Sequence, residues 1–537
     1  TKDTSTNNTI LLQQNSSGSD QRTGYQTGVG FDWDLNEHNS ITGAVSYQNF
    51  GHKSNTLTDQ LQNTNDPAGN ILSGIANSIT SDHKFHFHNI DASLNYKKTF
   101  KTDGQELDLS VNTSLGNRSV MDNIYQYDLP QDSLYYSTKG NNPGTENETE
   151  FRADYTQPIK KNEILGLGSK LSLYDINSNS GVLKLDGSGD YAKDDFLSNI
   201  LGYHQKVYAF YGEISFPVLS WFDAKIGERY ERTEINSYFS DATQQQNIPG
   251  YNTFVPSLFF SKKISDNSQL KLSYSKRIER PDYRDLNPFI NTSDPKNLST
   301  GNSNLKPEIG NRYEIGYSTK IGPSGLFMVN LFYRQNEGDI QPFIVYYPTY
   351  QVGDTTYTNV ALSTPQNIGK ENNYGLNLFA SAKFFSKLDL RSNVFFYERH
   401  TINVIDKGYD YNSFNYHLNL NADYQFSKTL VAEFFGNFRS ARHEAQGTYP
   451  SFTTYSLAIR KQIWDKKGSI ALTASNPFKK NLVQKTEVYG PNFTIDGLRT
   501  IPFRSIGINF TWKFGKLQFK KDPDKIDDSL NAPPEKS

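Results

Sequence analysis

A two-residue rhythm that recurs along most of the chain limits what it can fold into more than any other feature. In the segment Ile506/Ile508/Phe510/Trp512/Phe514 every second residue is large and apolar, while Ser505, Gly507, Asn509, Thr511 and Lys513 fill the gaps. Successive side chains of a β-strand point to opposite faces, so such a segment has one greasy face and one wet one. The same rhythm runs through Val29/Phe31/Trp33, Ile41/Gly43/Val45/Tyr47, Ile90/Ala92/Leu94/Tyr96, Leu376/Leu378/Ala380/Ala382 and Tyr416/Leu418/Leu420/Ala422/Tyr424.

Between these segments the connections alternate in length. Short turns are read at Asn36-Glu-His-Asn39, Lys101-Thr-Asp-Gly104, Ser265-Asp-Asn-Ser268, Gly322-Pro-Ser-Gly325, Phe385-Ser-Lys387 and Asp465-Lys-Lys-Gly468, while long connections lie near residues 51 to 83, 121 to 147, 281 to 310, 334 to 370 and 479 to 500. Short turns on one rim and long loops on the other are the asymmetry of bacterial outer-membrane barrels, the short turns being periplasmic. The tally is roughly 20 strands, each long enough to cross a bilayer when tilted. An open twisted sheet of that size is hard to sustain, so closure follows. The expected fold is all-β, a transmembrane antiparallel up-and-down β-barrel over residues 1–515, followed by a charged periplasmic tail over 516–537 that cannot bury a core.

Composition fits this reading. Only 35% of the 537 residues are hydrophobic and the mean hydropathy is −0.68, yet there are 34 Tyr and 35 Phe. Polar side chains lining a lumen and aromatic girdles at both interfaces give that mixture. No run approaches 18 apolar residues, so no transmembrane helix is expected. With no cysteine, disulfides, thiolate metal sites and cysteine nucleophiles drop out together. A net charge of −2 carries no footprint for nucleic acid. There is no GxSxG elbow, no HExxH and no Gly-rich phosphate loop, so no catalytic residue, no cofactor and no metal site is assigned. The polar start Thr1-Lys-Asp-Thr-Ser-Thr-Asn-Asn8 reads as a processed or truncated end.

One stretch departs from the rhythm. Leu270/Leu272/Tyr274 and Tyr313/Ile315/Tyr317 alternate as strands, and between them the prolines forbid a continuous ladder. That loop contains Arg280, Pro281, Leu286, Asn287, Pro288 and Phe289, then Gly301, Asn302, Asn304, Leu305, Lys306, Pro307 and Glu308, with Glu314 on the strand that follows. An RP…LNPF element followed by GN.NLKPE closely resembles the signature of TonB-dependent outer-membrane receptors, in their outer membrane protein β-barrel branch. The resemblance implies about 22 strands, the class of plugged transporters. It also implies uptake of a scarce ligand (siderophore, metal chelate or glycan), gated by the TonB complex through a plug that is not recognisable in these residues. Outer-membrane lipid, the barrel-assembly machinery and a small extracellular ligand are the other implied partners. A plugless porin or structural barrel is the alternative. The motif residues themselves read as loop-shaping, since Asn-Pro and Lys-Pro steps and glycines set backbone geometry.

Three further groups are candidate ligand contacts. His86 and His88 form an i, i+2 pair that a strand puts on one face, as a transition-metal pair requires, although no third ligand is fixed. Tyr346, Tyr347 and Tyr350 could stack on a sugar or a siderophore ring, or belong to an interface girdle. Lys276, Arg277, Arg280, Arg284 and Lys296 could concentrate an anion, but Glu279, Asp282, Asp285 and Asp294 nearly balance them.

Overall fold

The structure, a computed structural model, describes residues 7–219, 221–240, 249–292 and 294–513. Residues 1 to 6 of the expected barrel, Phe514 of the last expected strand and the expected tail lie outside the described residues. Among the described residues one sheet of 22 strands, three of them only three or four residues long, runs from Thr9–Asn36 to Ser505–Trp512, and nearly all its neighbours are antiparallel and consecutive in the chain. Each short turn read from the sequence joins a directly paired hairpin, as at Asn36↔Asn39 and Ile321↔Gly325. Main-chain pairing of this up-and-down kind, with one apolar and one polar face, is a β-barrel wall.

Register shows why the alternation works. On the outer face Leu272 stands opposite Ile315, Ile315 opposite Leu331, Leu331 opposite Leu376 and Leu376 opposite Phe396. The row continues elsewhere as Leu457↔Ala474 and Ala474↔Ile506. Ile315, Leu331 and Ile506 are 52%, 55% and 76% exposed, values that make sense only if lipid covers them. Higher on the same face, Tyr274, Tyr313, Tyr333 and Tyr374 are directly paired across four strands, with the first two rings 4.9 Å apart. This is a girdle at the extracellular interface.

The long connections differ from irregular loops. Strands Gly325–Val352 and Thr355–Phe384 continue to a tight turn at Gly353-Asp354, and Asn39–Asn65 and Ile71–Thr99 do the same, far above the bilayer. Backbone pairing persists there although the apolar rhythm has ended, because no lipid face remains to be satisfied.

Two elements fold across the extracellular end. Residues 280–307, between the paired strands Ser268–Glu279 and Glu308–Ile321, carry a single helical turn, Tyr283–Leu286, capped by Asp282. Tyr283, Leu286 and Leu305 are buried against Ile176, Leu201, Tyr203 and Phe239 of the wall. Further on, Asn297–Ser299 pairs in parallel with Ala361, Leu362 and Ser363, and Leu298 is buried with Val352, Val360 and Leu362. The second element is a separate four-stranded sheet, Arg442–Glu444, Gly447–Tyr449, Asn481–Gly490 and Phe493–Pro502.

Candidate functional site

The residues of the signature loop hold it to the wall. Arg280 pairs with Glu231, its Nε and Nη2 also donating to Thr233 Oγ1 at 3.2 and 2.9 Å. Asn287 Oδ1 accepts from the Phe289 amide at 3.2 Å, and Thr300 Oγ1 donates to Pro288 O at 2.8 Å. Gly301 N donates to Asn287 O at 2.9 Å, and a Cβ at that position would lie 2.4 Å from the same oxygen. Asn302 Nδ2 donates to Pro365 O at 3.1 Å, while its Oδ1 accepts from Asn304 N at 3.0 Å. Asn367 grips the Lys306 backbone from both sides, accepting from Lys306 N and donating to Lys306 O at 2.9 Å each, just before Pro307. Glu308 is buried and accepts from Ile340 N at 2.8 Å. Pro281 leads from Arg280 into the helical turn.

The other candidates are scattered. His86 and His88 share the outer face of Ile71–Thr99, rings 5.7 Å apart, with His86 Nε2 3.1 Å from Asn49 Nδ2. His83 points to the other face, against Asp122 at 2.6 Å. Among the described residues no group of three or more His, Cys, Asp or Glu side chains is placed to hold a metal ion. Tyr347 and Tyr350 pack against the buried cluster around Leu298, 5.1 Å from one another, and Tyr346 donates to Asn359 Oδ1 at 2.8 Å. Of the basic side chains in the loop, Arg284 is tied to Asp282 at 3.0 Å and Lys296 Nζ to Thr358 O at 2.7 Å. Burial pushes the Lys296 ammonium below its ordinary value, and burial together with Asp282 pushes the Asp285 carboxyl up.

A site with ligand-sized dimensions lies elsewhere. A cavity of about 740 Å³ opens on the lumen face of the wall, lined by Arg312, Arg334, Arg399, Arg439, Arg442 and several aromatic rings, Phe332, Phe395 and Tyr397 among them. The arginines follow from register. One polar row runs Ser275↔Arg312, Arg312↔Arg334, Arg334↔Asn373 and Asn373↔Arg399, and its first four residues are each adjacent in sequence to a girdle tyrosine. The row therefore sits at the extracellular edge of the membrane, on the lumen side. Arg334 is nine residues past Gly325, a rise of roughly 23 Å for a tilted strand.

The cavity is roofed by the second sheet, and a buried ionic cluster seats the roof. Arg399 Nε donates to Glu371 at 2.6 Å, with Glu444 at 3.6 Å and Asp339 at 3.9 Å. Arg399 Nη1 also donates to His443 O at 3.0 Å, Ala445 N to Gln341 Oε1 at 3.2 Å, and Gln446 exchanges bonds with the Ile344 backbone at 2.5 and 2.9 Å. Arg442 bonds Glu444 at 2.7 Å and lies over the Tyr449 ring. Burial pushes the Glu444 carboxyl up in spite of both arginines. These residues come from strands far apart in sequence, with no local motif. The only trace in the sequence is parity: Arg312, Arg334, Arg399 and Arg439 each occupy a polar-phase position some ten residues from a short turn.

Known proteins place the architecture. No curated protein matches the sequence. The pyoverdine outer membrane receptor FpvA of Pseudomonas aeruginosa, bound to pyoverdine, has the same fold at 12% identity, with a TM-score of 0.57 over 94% of this chain and 78% of that one. A ferric enterobactin receptor (PfeA) mutant from Pseudomonas aeruginosa is similar at 12% identity and a TM-score of 0.53, over 94% and 80%. Residues 98–512 match the outer membrane protein β-barrel family. With its apolar belt, polar lumen and short-turn rim, this chain belongs to that family and resides in the bacterial outer membrane.

Proposed function

We propose that this barrel is the wall of an outer-membrane receptor that takes a scarce ligand, a siderophore, another metal chelate or a glycan, at its extracellular end and passes it to the periplasm. The observation that carries this reading is the lumenal cavity at the membrane's outer edge, walled by arginines and aromatic rings under an inward-folded roof. General diffusion needs an open lumen, and two inward-folded elements across the extracellular end work against that. The signature loop and the fold shared with siderophore receptors support an energised step, driven by the TonB complex through a plug seated in the lumen. Lipid at the belt and the barrel-assembly machinery at the aromatic last strand complete the proposed partners. No catalytic role is proposed.

The test is uptake in the producing bacterium. Accumulation of iron chelates or oligosaccharides should fall on deletion of the gene and equally on loss of TonB. Uptake that survives loss of TonB would reject the reading. So would a large stable conductance of the chain in planar bilayers, which is the signature of a porin.

A further inference from the structure

Resting on that reading, we propose that the cavity under the roof selects an anionic ligand: a small acidic chelate bearing two or more negatively charged groups, as against a neutral glycan. The first ground is electrostatic cost. Arg312 stands directly opposite Arg334, and like charges directly opposite in a sheet are destabilising. Glu314 neutralises Arg312, and Glu371, Glu444 and Asp339 surround Arg399. Arg334 and Arg439 have no carboxylate within ion-pair distance among the described residues, and Arg334 Nε has only Asn336 Oδ1 at 3.1 Å. Two guanidiniums are thus held at the cavity wall with their charge uncompensated. A bidentate carboxylate or comparable oxyanion is the partner their fork geometry fits.

The second ground is the rest of the lining. Asn373 stands between Arg334 and Arg399 in the same row and is buried, its Nδ2 donating to Glu371 Oε1 at 2.6 Å, so the row offers a ligand its cations rather than an amide. Phe332, Phe395 and Phe435 supply apolar faces beside it. From Arg312 to Arg399 the row covers three strand steps, roughly 14 Å, so a ligand reaching more than one of its cations needs acidic groups spread over its surface. The volume, about 740 Å³, is that of a compact small-molecule site. A neutral oligosaccharide could stack on the aromatics, but it would leave both uncompensated cations without a counter-charge.

The test is equilibrium binding to the full chain in detergent micelles, with iron(III) citrate, a neutral trihydroxamate iron chelate and a neutral glucan heptasaccharide as probes. Saturable binding of iron(III) citrate is expected, weakened at least tenfold by Arg334→Gln with Arg439→Gln and weakened again by added salt, with no comparable salt effect for the neutral probes. A second variant, Gln484→Glu, puts a negative charge at the roof on a strand outside the wall and should weaken iron(III) citrate in the same direction. Affinity for iron(III) citrate unchanged in both variants would overturn the proposal. Preference for the glucan over iron(III) citrate would overturn the ligand class and leave the receptor reading standing, whereas TonB-independent uptake or a porin-like conductance strikes the receptor reading itself.

Discussion

Replacing Gly301 by alanine should open the signature loop without unfolding the barrel. The added Cβ would lie 2.4, 2.7 and 2.8 Å from the carbonyl oxygens of Asn287, Asp285 and Arg284. All three are backbone atoms, so no flexible side-chain end can give way, and the helical turn Tyr283–Leu286 must move as a piece. Two hydrogen bonds then weaken together, Gly301 N to Asn287 O at 2.9 Å and Asn302 N to Asp285 O at 2.5 Å. At about 1 kcal/mol each, plus about 1–3 kcal/mol for overpacking, the local cost is about 3–5 kcal/mol. Every 1.4 kcal/mol is a factor of ten, so amide exchange over 283–305 should accelerate by roughly two to four orders of magnitude. Hydrogen exchange on the full chain in micelles reads this directly, with peptides from Glu308–Ile321 and Gly325–Val352 as the wall reference. Unchanged protection over 283–305, or an equal loss in the wall peptides, would refute the account of the loop as a clip held at Gly301.

Removing Arg280 as Arg280→Ala strips Thr233 of its donors but leaves Glu231 with Arg229, so the loop entrance should loosen by about 1–3 kcal/mol, seen as faster proteolytic nicking near Pro281. On the lipid face, Leu331→Arg should cost about 2–4 kcal/mol in a denaturant titration of the lipid-inserted barrel, whereas the same charge at the lumen-facing neighbour, Asn330→Arg, should cost far less; equal costs would contradict the assignment of faces. The raised carboxyl of Glu444 sets the pH behaviour of the roof: a folded-state pKa above the ordinary 4.5 means the seat is firmest below that value and weakens as pH rises through the raised one. Exchange rates over 442–449, corrected for intrinsic chemistry, should therefore climb across that window and flatten in Glu444→Gln.

The wall was legible in the sequence because lipid imposes a rule on every second residue for as long as a strand is in contact with it. Leu272, Ile315, Leu331 and Leu376 obey that rule, and the short turns between them are where it restarts. Above the girdle the rule lapses, and from residue 51 onward the strand Asn39–Asn65 carries mainly polar residues in a sequence that reads as loop. Backbone pairing maintains it together with cross-strand polar contacts such as Ser16–Thr58 at 2.8 Å and His52–Asp20 at 3.0 Å, and these leave little mark on composition. The signature loop was legible as a loop through its prolines, but its inward seat was not, since Leu286 and Leu298 find their partners, Ile176 and Val360, more than sixty residues away. The arginine cavity was hidden for the same reason. Arg312, Arg334, Arg399 and Arg439 become neighbours only once the register is known.

Register is also what makes the girdle and the cavity inseparable. Arg312 precedes Tyr313, Tyr333 precedes Arg334 and Asn373 precedes Tyr374, so one short stretch of each strand anchors the barrel in the interface with one side chain and faces the lumen with the next. A one-residue slip of any of these strands would exchange the two sets, turning a guanidinium toward lipid and a phenol toward the cavity. Near the interface a misplaced arginine costs only about 0–1 kcal/mol, but the same slip would carry Asn330, Gly316 and Asn377 into the belt in place of Leu331, Ile315 and Leu376. The apolar belt, not the site, therefore fixes the register, and the arginine row takes its position from it. The charge on the lumen face is thus free to vary with the ligand while the outer face holds the fold.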